Sequence, residues 1–127
     1  MKTRLLALFA VAASWGAILV PCARAADAPF RHVVCFKFKD GTLAAEIAEI
    51  EKAFGALKDQ IDTIVAYEWG TSENIEPLND GFTHCFLVTF KDKKGLEAYL
   101  PHPAHEAFVA LLKPKLDKVF VFDYTAK

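Results

Sequence analysis

Thr83-His-Cys-Phe-Leu-Val-Thr-Phe90 alternates without a break. His84, Phe86, Val88 and Phe90 fall on one side, and Thr83, Cys85, Leu87 and Thr89 on the other. A period of two over this length is the pattern of a β-strand with one face packed. Arg31-His-Val-Val-Cys-Phe-Lys-Phe-Lys39 repeats it, with His32, Val34, Phe36 and Phe38 set against Val33, Cys35 and Lys37. Each strand opens on a histidine and continues along one face with apolar or aromatic residues. These two segments are the clearest strands of the 127-residue chain, which is long enough for one domain and short for two.

The segments around them complete an alternating order. Asp40-Gly41 is a turn signal. Thr42 is the expected N-cap of a helix, with Glu46 near its favourable first turn. Leu43, Ile47, Ile50, Phe54 and Leu57 recur at helical spacing and form one apolar stripe. Ile61 to Trp69 reads as a second strand, with imperfect alternation. The stretch from Gly70 to Phe82 is a loop rich in Gly, Asn, Asp and Pro. Beyond Phe90, Asp92 is placed to cap a short helix holding Leu96, Ala98 and Tyr99. Ala104, Phe108, Leu111, Leu112 and Leu116 supply the apolar side of a further helix, which Pro114 ends or kinks. Val119 to Tyr124 is the last strand.

The order β-α-β-β-α-α-β implies an α+β fold, a ferredoxin-like split βαβ sandwich. Its four-stranded antiparallel sheet carries helices on one face. The first and third strands pair at the centre, so His32 and His84 share a face. That face is assigned to the helices because it holds the larger apolar side chains. Val33, Cys35, Cys85 and Leu87 then point to an open face too apolar to remain wet. A homodimer joining sheet to sheet would bury it.

The N-terminus has its own character. Lys2 and Arg4 precede an apolar run from Leu5 to Val20, and Ala23-Arg24-Ala25 follows. A charged start, a short apolar stretch and a small-x-small site describe a secretory signal peptide over residues 1–25, leaving 26–127 as the domain. The run is short for a membrane span, and Pro21 before Cys22 does not suit a lipoprotein signal. The expectation is export, to a periplasm or out of the cell, without stable membrane association after cleavage. Three of the fifteen basic residues (Lys2, Arg4 and Arg24) lie in this leader, so the domain holds twelve bases against sixteen acids. A mildly acidic domain without a basic run argues against nucleic acid as partner. Export permits a disulfide between Cys35 and Cys85, although cysteines inside apolar strands more often serve as small buried hydrophobes.

The richest chemistry lies in Tyr99-Leu-Pro-His-Pro-Ala-His105. Proline fixes φ and turns the residue before it away from helical angles, so this is a stiff corner. One helix ends near Tyr99 and the next opens at Pro103, where a missing N–H costs nothing. His102 then sits at or near the N-cap. His105 sits in the first turn, where the helix dipole favours a neutral ring that can act as a base near pH 7. With the helices over the sheet, His32, His84, His102, His105 and Tyr99 could line one pocket. The plainer alternative is a rigid corner whose histidines cap and pack. His102 and His105 match no established metal-ligand spacing, and no metal or cofactor is expected.

These segments resemble a known family. Arg31–Lys39, Gly81-Phe-Thr-His-Cys-Phe-Leu-Val-Thr-Phe90, the Tyr99–His105 corner and Val119-Phe-Val-Phe-Asp-Tyr124 look like the stress-responsive dimeric α/β-barrel (Dabb) domain, from about His32 to Tyr124. The resemblance implies a ferredoxin-like protomer and a homodimer whose two sheets form a barrel. Most members have no assigned activity. In one plant branch, the olivetolic acid cyclases, the resemblance places the functional tyrosine on Tyr99, the essential histidine on His105 and two pocket histidines on His32 and His84. It implies His105 as base and Tyr99 as the group that holds and polarises a carbonyl. Export separates this chain from enzymes that act on cytosolic coenzyme A thioesters. The expectation is therefore a stress-responsive homodimer with a histidine- and tyrosine-lined pocket for a small ligand and no defined catalysis. A lyase or cyclase acting on a carbonyl compound is the alternative, and a metal-binding module the weakest reading.

Overall fold

The computed structural model describes residues 28–127. The expected signal peptide at 1–25 lies outside the described residues. Strands β1 (Phe30–Phe38) and β3 (His84–Phe90) pair antiparallel at the centre of a sheet whose order is β2-β3-β1-β4, with β2 at Ile64–Thr71 and β4 at Leu116–Thr125. All three pairings are antiparallel. Helices α1 (Ala44–Gln60), α2 (Lys93–Tyr99) and α3 (Pro103–Leu112) complete the ferredoxin-like order.

Directly opposed residues of antiparallel strands share a face. His32, Val34 and Phe36 therefore lie with Val88, Phe86 and His84, their partners on β3, and with Asp123, Val121 and Val119 on β4. This is the helix side. Phe54 of α1 meets Phe36, Phe86 and Phe108 with ring centroids 5.9, 4.5 and 4.6 Å apart, so one phenyl ring joins α1, α3 and both central strands. Burying such a ring contributes about 1.5–3 kcal/mol. Phe36, Phe86, Val88 and Phe90 are sealed beneath the helices. Gly95 lets α2 settle on β3, since a Cβ there would meet Phe90 Cβ at 3.0 Å.

The element ends differ from the sequence expectation in three places. The N-cap of α1 is Leu43 and not Thr42. The Thr42 hydroxyl donates to Lys39 O, and the Glu46 carboxylate accepts the Leu43 N–H at 3.0 Å, so the side chain in the first turn satisfies the helix start. Strand β2 begins at Ile64, because Ile61 is the buried C-cap of α1 and donates its N–H to Leu57 O. Strand β4 begins at Leu116, earlier than its apolar core suggests, where Lys115 ties back to Glu46 and to Lys39. Pro114 does follow the end of α3, as expected of a residue that cannot continue a helix.

Among the described residues, the opposite face carries no helix. Val33, Cys35, Cys85, Leu87, Phe120, Phe122 and Tyr124 share it by register. Phe120 and Phe122 are 49% and 56% exposed, a large apolar surface for a protein in water. Gly70, Cys85 and Cys35 stand side by side across three strands, and these small residues floor a concavity of about 670 Å³ walled by Leu87, Phe82 and Phe120. Cys85 is exposed and Cys35 half-buried, so within one protomer the cysteines are not the sealed small hydrophobes that their setting suggested.

Candidate functional site

The corner between α2 and α3 takes the shape its prolines dictate. Asp92 caps α2 by accepting the Gly95 N–H at 3.1 Å, and the helix ends at Tyr99. His102 is the N-cap of α3, with Pro103 in the first helical position. Its Nδ1 accepts the Ala104 N–H at 3.1 Å, so this histidine is engaged in holding the helix start. His105, two residues into α3, turns its ring back over Tyr99, with centroids 4.3 Å apart.

The bonds of His105 define its chemistry. Its Nδ1 lies 2.8 Å from Leu100 O. A carbonyl only accepts, so Nδ1 carries the hydrogen and Nε2 of the neutral ring keeps a free lone pair. Burial lowers the His105 pKa, the neighbouring His32 and His102 lower it further, and the Leu100 bond and Glu106 offset part of this. The ring is thus held as a neutral base. Tyr99 is 1% exposed, and burial first, then Tyr67, pushes its phenol well above the usual range, so it remains a hydrogen-bond donor.

His32 joins this pair, with its ring edge 5.9 Å from Tyr99. Its Nδ1–H donates to Asp123 Oδ1 at 2.6 Å across the β1–β4 pairing. A buried imidazole needs such a partner, and a carboxylate also fixes its tautomer. Asp123 is not among the residues that the sequence pattern singles out. The signal was there, because pairing β1 with β4 sets an acid opposite His32 at the end of the Val119, Val121, Asp123 face.

His84 does not join them. It opposes Phe36, whereas His32 opposes Val88, four residues along β3. At about 3.4 Å per residue that is roughly 14 Å. The expectation of one pocket lined by all four histidines is corrected to two separate groups on one face. His84 donates from Nε2 to Glu51 Oε1 at 2.9 Å and accepts the Thr83 hydroxyl at Nδ1, 2.8 Å away. Trp69 stacks parallel to its ring, and Phe38 meets it edge-on. Tyr67 stands on β2 opposite Val88, in the row of His32. Burial, and then the Glu51 charge, raise its phenol above the usual range. Its hydroxyl is buried and has no hydrogen-bond partner among the described residues. Among those residues no group of three or more His, Cys, Asp or Glu gathers to hold a metal ion, and no helix is long and apolar enough to cross a membrane.

Residues 30–126 match the family model described as the stress responsive A/B barrel domain, Dabb. The chain belongs to this family. It is 39% identical over 99 residues to the stress-response A/B barrel domain-containing protein HS1 of Arabidopsis thaliana, covering 78% of this chain and 91% of that protein. It is 30% identical over 97 residues to the olivetolic acid cyclase of Cannabis sativa, covering 76% of this chain and 96% of the cyclase. A crystal structure of an Arabidopsis thaliana protein superposes with a TM-score of 0.73 at 38% identity, covering 77% of this chain and 95% of its own. A dimeric ferredoxin-like protein of unknown function from Thermobifida fusca shares the fold at a TM-score of 0.69 and 20% identity, covering 78% of this chain and 92% of its own. Within the Dabb fold, the Tyr99–His105 corner and the His32–Asp123 pair stand on three separate elements, α2, α3 and the β1–β4 pairing.

Proposed function

We propose that this protein is an exported Dabb homodimer that binds a small ligand at the Tyr99–His105 corner and has no defined chemical step. The observation that carries the reading is the ring pair itself: a neutral, half-buried His105 whose Nε2 bonds nothing among the described residues, its ring 4.3 Å from that of a protonated Tyr99. Together they offer one acceptor and one donor beside an apolar wall, which suits a small carbonyl or phenolic compound. Tyr99 is sealed, so the ligand enters past His105. The buried Tyr67 hydroxyl, without a hydrogen-bond partner among the described residues, supplies a further polar anchor deeper in the fold. The concavity of about 670 Å³ lies on the other face and is lined by neither Tyr99 nor His105. Dimerisation is supported by the apolar open face and by fold neighbours described as dimeric. Export rests on the leader sequence at 1–25.

The test is a pH titration of the histidine ring resonances by NMR, with and without a panel of small β-dicarbonyl and phenolic compounds. The expected result is a His105 resonance that titrates below the ordinary histidine range and moves with a ligand. A His105 resonance indifferent to every compound, with His105→Ala leaving all binding unchanged, would remove the reading.

A second reading, a lyase or cyclase acting on a carbonyl substrate, is favoured by the same neutral base and by the olivetolic acid cyclase relative. There His105 Nε2 would remove a proton next to a carbonyl that the Tyr99 hydroxyl polarises. Turnover of a β-dicarbonyl compound that His105→Ala abolishes would establish it. Binding without turnover would leave the first reading standing.

A further inference from the structure

Strand β4 carries the run Val119-Phe-Val-Phe122, apolar on both faces. A strand that reads this way is one covered on both sides. Within one chain it is covered on neither, because all four side chains stand about half exposed. Phe120 and Phe122 lie on the open face, where a second sheet covers them in a dimer. Val119 and Val121 point the other way, to the helix side. A partner's sheet does not reach that side, and among the described residues no helix seals it. A matching surplus stands at the opposite edge of the sheet. Residues 72–83 join β2 to β3, and within them Ile75 and Leu78 are 90% and 80% exposed. The root of this arm is pinned. Ser72 donates its N–H to Thr83 O at 2.9 Å, the Phe82 N–H goes to Asn79 O at 2.8 Å, and the Asn79 side-chain amide returns a bond to Phe82 O at 2.9 Å. Pro77 stiffens the stretch between the two apolar side chains. The charges also match. The arm bears Glu73, Glu76 and Asp80 and no base, whereas the approach to Val119 carries Lys113, Lys115 and Lys118 around the single acid Asp117.

We propose that the arm between β2 and β3 is an interaction surface for a second copy of this chain, with Ile75 and Leu78 docking on Val119 and Val121 of the partner subunit. The barrel that names the family brings the two surfaces within reach. β2 and β4 are the edges of the sheet. A two-fold axis along the barrel closes it by setting β2 of one chain beside β4 of the other, and it keeps both chains the same way up. Thr71 and His84, where the arm leaves the sheet, stand in one row with Phe36 and Val119. The arm of one chain therefore starts at about the height of Val119 on the other. It has one strand spacing to cross, about 5 Å, and the chain from Thr71 to Ile75 spans up to about 13 Å. The opposite closure, β4 on β4 and β2 on β2, would set two acidic arms against each other and leave the lysines facing lysines. The inference rests on the homodimer proposed above and adds to it a contact outside the sheet-to-sheet surface.

The experiment mixes carbon-13-labelled and unlabelled full chain and records the NMR cross-peaks that pass only between labelled and unlabelled copies. The expected result is contact from the Ile75 and Leu78 methyl groups of one copy to valine methyl groups of the other, lost when the unlabelled copy carries Val119→Ala and Val121→Ala. The joint variant Ile75→Asp, Leu78→Asp should raise the dimer dissociation constant at least about tenfold in sedimentation, since two apolar side chains lose their cover. Its far-ultraviolet circular dichroism should not change, because both positions lie outside the buried core. Three outcomes would overturn the arm contact and leave the homodimer standing: cross-peaks from Phe120 and Phe122 with none from the arm, cross-peaks from arm to arm, or a joint variant that pairs as tightly as the wild type. A wild type that stays a single chain would remove the homodimer and the arm contact together.

Discussion

The two faces of this sheet carry residues of similar hydrophobicity and meet different fates. On the helix side, Phe36, Phe86 and Val88 are sealed by α1 and α3, and polar side chains there are paired: His32 with Asp123, His84 with Glu51. On the far side, Phe120 and Phe122 stand about half exposed around two free thiols. A strand alternation shows that two faces differ, but it does not show which is covered within the chain and which by another molecule. The helices decide that. They reach over β1 and β3 but not fully over β4, where Val119 and Val121 are also about half exposed on the helix side. The closed face can therefore hold a built polar site, and the open face is left for assembly.

The comparison is sharpened first by truncating the helix-side face. Phe86→Ala removes a ring that touches Phe36, Phe54 and Trp69, and it should cost about 3–5 kcal/mol in urea unfolding. A loss below about 1 kcal/mol would mean that the helix side is not the core. Asp123→Ala strands the buried Nδ1–H of His32 and should cost about 1–3 kcal/mol. Its measured effect would show whether that pair holds the site together or merely borders it.

The smallest expected effect is a pH slope. The His105 pKa is lowered in the fold from its ordinary 6.5, so the unfolded chain binds more protons as the pH falls through that value. The contribution of a neutral His105 is fully present above about 6.5 and lost below it. His105→Gln should flatten the fall in stability between about pH 7 and pH 5, read from melting curves. An unchanged slope would show that the ring is not held neutral by its burial.

Much of this was legible in the chain and some of it was not. The alternation of Arg31–Lys39 and Thr83–Phe90 is strict because the helix-side residues of both strands are sealed while most of those opposite are not, and it marks the centre of the sheet. The prolines at 101 and 103 fixed the α2–α3 corner, down to His102 as the N-cap. Strand ends were harder. Ile61 is apolar because it caps α1 inside the core, which imitates the start of a strand. The separation of His32 from His84 could have been read from antiparallel pairing alone. Two residues that each open their own strand lie at opposite ends of the pair. Tyr67 and Glu51 gave no such signal, since their meeting depends on how α1 lies over β2.

The central claim is that the closed face serves the site and the open face serves assembly. Sedimentation equilibrium of the wild type and of Phe122→Asp tests it most directly. Phe122 lies on the open face and outside the buried core, so the substitution should leave the far-ultraviolet circular dichroism unchanged. The expected result is a wild type at twice the chain mass and a variant at the chain mass. A wild type that sediments as a single chain, or a variant that still pairs, would contradict the account.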